Sequence, residues 1–112
     1  MLVLLLEAGS SAWSEADRPG DIRVGKELAL RLCASCHQVA ADQERTPPPL
    51  PLALSFREMA QQPKTDAEYL QGFLSSTHST VSHPAAMPSP LLTAAQIRDI
   101  AAYILSLRAR QN

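Results

Sequence analysis

Residues 33–37 read "CASCH". Cys33 and Cys36 stand two residues apart and His37 follows directly; the chain has no other cysteine. The stretch closes a segment with helical period. Gly25, Leu28, Ala29 and Leu32 fall at i, i+3, i+4 and i+7, one face of an α-helix. Asp21 is placed as its N-cap, with acidic charge at the positive end of the helix dipole. The small residues Gly25 and Ala29 on the apolar face let a second helix approach closely. The spacing predicts a helix over about 21–33 that delivers the cysteine motif at its end.

Four chemistries can use two thiols at this spacing. C-x-x-C-H is the attachment signature of c-type haem. One thiol adds to each of the two vinyl groups on one edge of the porphyrin, and the adjacent imidazole gives the iron a nitrogen ligand. A disulfide across so small a loop contributes little on the chain-entropy argument. A thioredoxin-like dithiol calls for a βαβ setting, and no strand pattern occurs. Zinc is the fourth: Cys33 and Cys36 with His78 and His83 reproduce C-x-x-C and H-x4-H. The 41 residues between those halves exceed the roughly 12–15 of the short finger pattern, and His37 is left without a role.

Composition narrows the class. A chain of 112 residues implies one domain with a modest core. Aromatics are few and prolines many, with two Phe, two Tyr, one Trp and nine Pro. A cofactor filling the interior would supply the missing apolar bulk. A net charge of −1 without basic runs argues against nucleic acid as a partner. Residues 1–16, "MLVLLLEAGSSAWSEA", combine an apolar run with small residues before Ala12 and Ala16. They read as the tail of an export signal, or as a disordered tail, with the domain over 17–112. No segment is long enough to span a bilayer.

The rest of the chain reads as helices separated by stiff loops. "TPPPLPLAL" holds four prolines that fix an extended backbone. Three capping-box patterns follow: Ser55 with Glu58, Thr65 with Glu68, and Thr93 with Gln96. They open a short helix ending before Pro63, a helix over about 66–75, and a long helix over about 94–109. In the last, Ile97, Ile100, Ala101, Ile104 and Leu105 form the apolar stripe, with Arg108 and Arg110 at the negative end of the dipole. The segment between the last two helices, "STHSTVSHPAAMPSPL", contains three prolines and no regular pattern.

Haem iron takes a sixth ligand or keeps an open site. Met87 lies fifty residues after His37 in a proline-stiffened stretch before the long helix. Met/His ligation raises the reduction potential and suits electron transfer. His83 and His78 are the rival ligands.

With these two stretches in order, the chain resembles a small class I c-type cytochrome over about residues 21–109. The resemblance rests on "GKELALRLCASCH" and "MPSPLLTAAQIRDIAAYILSLR". It implies an all-α fold of about four helices around one haem c, covalently bound through Cys33 and Cys36, with the N- and C-terminal helices packed crosswise. It implies His37 and Met87 as the iron ligands. It further implies that Gly25 contacts Tyr103, and that Ile100 and Ile104 lie against the haem. A loop proline, taken as Pro49 among Pro47, Pro48 and Pro49, is implied to accept the His37 N–H through its carbonyl, raising the imidazole's basicity. The basic ring of mitochondrial members is missing here, so their partners do not carry over.

The expected function is a soluble, exported electron carrier of the periplasm that passes single electrons between redox partner proteins, such as a dehydrogenase, an oxidase or a reductase, and performs no bond chemistry. The alternatives are a cytochrome subunit of a larger dehydrogenase or oxidase complex, and a haem-based ligand-binding protein.

Overall fold

The computed structural model describes residues 18–49, 53–75 and 91–108, together with Val3. Four helices appear in chain order: α1 (Ile22–Leu32), α2 (Phe56–Gln61), α3 (Ala67–Ser75) and α4 (Ala94–Ser106). No strand occurs among the described residues. The Pro-rich stretch 46–49 carries no regular secondary structure, as its missing amide donors require.

Three of the four helix starts lie where the sequence signals put them. The Asp21 carboxylate accepts from Val24 N at 3.0 Å. Ser55 and Glu58 form a complete capping box at α2, and Thr93 and Gln96 form another at α4. The start of α3 differs from expectation. Its first-turn amide, Tyr69 N, donates to Asp66 Oδ1 at 2.7 Å, so the cap is Asp66 rather than Thr65. Thr65 is held elsewhere. It is buried, its N–H donates to Gln62 O at 3.1 Å, and its carbonyl accepts from Arg108 Nη2 at 2.6 Å. Arg108 also donates to Ala60 O at 2.6 Å and Gln62 O at 3.1 Å. One cation thus gathers three carbonyls across the end of α2 and the turn that leads to α3.

The apolar stripe of α4 forms the centre of the molecule. Ile97, Ile100, Ala101, Tyr103 and Ile104 are buried against Leu28 and Ala29 of α1, Phe56 and Ala60 of α2, and Leu70 and Leu74 of α3. Helix α1 meets α4 most intimately at Gly25. A Cβ there would overlap the Asp99 carbonyl and lie 3.0 Å from Ile100 N. The atoms nearest to a Cβ at Gly25 thus belong to the α4 backbone at Asp99–Ile100, one turn before Tyr103. Asp99 also reaches back, accepting from Asp21 N at 2.8 Å through Oδ1. These contacts fix the first turn of α1 against the middle of α4.

Candidate haem site

Helix α1 hands its last turn to the cysteine motif. Cys33 N donates to Ala29 O at 2.8 Å, and the Cys33 carbonyl accepts from His37 N at 2.9 Å and Cys36 N at 3.2 Å. The turn is wound tightly, so both thiols and the imidazole share one short arc of backbone. Cys33 is half-buried and Cys36 exposed, and the two are not joined in a disulfide. Burial pushes the Cys33 thiol up to about 11.

His37 is only 8% exposed, and its ring is oriented on two sides. Nδ1 donates to the Leu54 carbonyl at 2.7 Å. A carbonyl can only accept, so Nδ1 carries the proton. Nε2 is then the nitrogen with the lone pair available to a metal. The Phe56 ring packs on the imidazole with centroids 5.7 Å apart, and the Tyr103 ring packs on Phe56 at 6.3 Å.

The acceptor for His37 is a correction to the sequence reading, which favoured Pro49. Pro49 is exposed, and Leu54 takes the role. The reason is local. Phe56 N donates to Gln38 O at 2.9 Å, which pins the start of α2 beside the residue after His37. Leu54 precedes the extended N-cap Ser55, so its carbonyl lies outside the helix and can turn to the imidazole.

The segment after the motif is anchored residue by residue. The Tyr103 hydroxyl donates to Val39 O at 2.7 Å, a buried bond from the middle of α4. Gln43 Oε1 accepts from Val39 N at 2.7 Å and Ala40 N at 3.1 Å. Sequence reasoning assigned no role to Leu54, Phe56 or Gln43. A leucine, a phenylalanine and a loop glutamine carry no signal of their own, and only the folded path of the loop reveals them. Met87, His78 and His83 lie outside the described residues.

These residues fit a c-type haem. They offer two sulfurs on one short arc, an imidazole in the tautomer that leaves Nε2 for iron, and buried Ile100 and Ile104 on the facing helix. The comparison with known families decides the matter: the cytochrome c model matches residues 22–108. The chain belongs to the cytochrome c family. It is also 39% identical over 107 residues to cytochrome c-552 of Bradyrhizobium diazoefficiens, covering 96% of this chain and 90% of that protein. No solved structure matches the chain. As a cytochrome c it carries one covalently attached haem c, and it is an electron carrier rather than an enzyme. Its partners are redox proteins. No helix among the described residues is long and apolar enough to cross a membrane.

Proposed function

We propose that this cytochrome c carries single electrons on a His/Met-ligated haem, held through Cys33 and Cys36, with His37 Nε2 and the Met87 thioether as axial ligands. When bound, the haem supplies the Fe(III)/Fe(II) couple. The chain's own contribution is to set the ligands, exclude water from the proximal side and fix the imidazole. The observation that carries the reading is the 2.7 Å bond from His37 Nδ1 to Leu54 O. It selects the tautomer and raises the basicity of the ligating nitrogen.

Met87 is supported by the sequence alone. It sits between prolines fifty residues after His37, and a soft neutral thioether stabilises Fe(II) and suits a high-potential carrier. Residues 1–16 read as the tail of an export signal, or as a disordered tail, with the haem domain over 17–112; the export reading supports a carrier of the periplasm.

The test is spectroscopic. Oxidised protein should show the weak long-wavelength charge-transfer band of iron–thioether bonding. Met87→His should abolish it and lower the potential by on the order of a few tenths of a volt, whereas His83→Ala should leave it intact. A wild type without the band, whose potential changes only when His83 is replaced, would move the sixth ligand to histidine.

A further inference from the structure

The loop that follows His37 is wound around one side chain that the axial assignment does not use. Gln43 Oε1 accepts from Val39 N at 2.7 Å and Ala40 N at 3.1 Å. Its Nε2 donates to Arg45 O at 2.7 Å and, more weakly at 3.5 Å, to His37 O. One half-buried amide therefore joins four backbone groups across residues 37–45. A glutamine that only decorated a solvated loop would have no reason to turn inward onto these groups.

We infer that Gln43 is a positioning residue for the axial imidazole, fixing the backbone of residues 37–40 and through it the bond from His37 to Leu54. The inference rests on the reading of His37 as the iron ligand. Val39 and Ala40 are buried, with 1% and 8% exposure, so their N–H groups have little access to water in the closed loop. Losing the shared acceptor leaves two donors unsatisfied, which is costly for buried backbone groups. The loop relieves that cost by opening toward solvent, and His37 is at its root. The other anchors, Phe56 N on Gln38 O, the Tyr103 hydroxyl on Val39 O and Gln38 Nε2 on Ala40 O, hold carbonyls, whereas Gln43 Oε1 holds the Val39 and Ala40 amides. A loosened backbone lengthens the Nδ1–H···O=C bond. The imidazole then loses basicity, the ferric form loses stabilisation, and the potential rises.

The test uses holoprotein of the wild type, Gln43→Ala, Gln43→Glu and, as a control, Arg108→Ala. That control loosens the connection between α2 and α3 instead. Two readouts are taken: exchange of the His37 Nδ1 proton by NMR, and the reduction potential. Gln43→Ala should exchange about tenfold or more faster than wild type and show a raised potential. Gln43→Glu keeps an acceptor for Val39 and Ala40 but cannot donate, and should fall between. Arg108→Ala should move neither readout. Exchange and potential unchanged in Gln43→Ala, or matched by Arg108→Ala, would overturn the inference. If Gln43→Ala gives no holoprotein, Gln43→Glu is judged by the same criteria. A wild type whose His37 ring lacks iron-shifted resonances would overturn the axial assignment as well. It is told apart from failure of the inference alone, in which those resonances are present in wild type and unmoved in the variants.

Discussion

The seam between α1 and α4 and the loop from His37 to Ala40 are held by different means. The seam is chiefly a contact of shapes, where Gly25 has no side chain because the α4 backbone occupies that space, with one polar tie from Asp21 N to Asp99 Oδ1. The loop is a contact of polar groups: Leu54 O, Phe56 N, the Tyr103 hydroxyl and the Gln43 amide each take one or more backbone or ring partners. A shape contact fails abruptly when atoms are added. A polar lattice fails by degrees as partners are removed. The first fixes where the cysteine motif sits, and the second tunes how the imidazole is presented.

The largest effect should come from breaking the seam. Gly25→Val puts carbon where the Asp99 carbonyl lies, and neither backbone can move without displacing a helix. Denaturant unfolding of the holoprotein should show a loss of about 3 kcal/mol. A near-neutral result would mean that the helices slide apart readily and that the seam is not rigid.

Removing one tie of the loop should cost less. Tyr103→Phe keeps the ring against Phe56 but leaves Val39 O without its donor in a buried setting. A loss of about 1–2 kcal/mol is expected by the same measurement. The smallest change, and one of opposite sign, should come from Gly72→Ala. Gly72 lies inside α3, and among the described residues a Cβ there meets nothing within 4 Å. Helix propensity favours alanine at such a position, and stability should rise by about 0.5–1 kcal/mol. Gly25 and Gly72 thus separate a glycine required by packing from one that is not, and a destabilised Gly72→Ala would erase that contrast.

The fold was legible in the sequence wherever the signal was local. The capping boxes at Ser55 and Thr93 and the Asp21 cap depend on residues three apart, and each formed as read. The cap of α3 was misread by one residue because Thr65 and Asp66 both look like caps. The folded chain puts the Asp66 carboxylate on Tyr69 N and holds Thr65 by its main chain, its carbonyl accepting from Arg108, 43 residues away. The same holds at the site. Cys33, Cys36 and His37 fall within five residues, so their spacing narrows the chemistry to a few choices before any fold is known. The acceptor for His37 is a main-chain carbonyl, which every residue owns, so no side-chain identity marks Leu54 over Pro49. Gln43 was invisible for a related reason. Its partners are backbone groups, and the sequence shows only a polar residue between charged ones. Periodicity gave the buried stripe of α4, but not that Gly25 would meet α4 at its backbone.

The central claim is that the arc from Cys33 to His37 holds haem covalently and aims its imidazole at the iron. Acid–acetone extraction of purified protein, with haem staining after denaturing electrophoresis, tests it most directly. Colour should stay with the wild-type polypeptide, and Cys33→Ala/Cys36→Ala should lose it. Colour that extracts from the wild type, or a stain that persists in the double variant, would contradict the account.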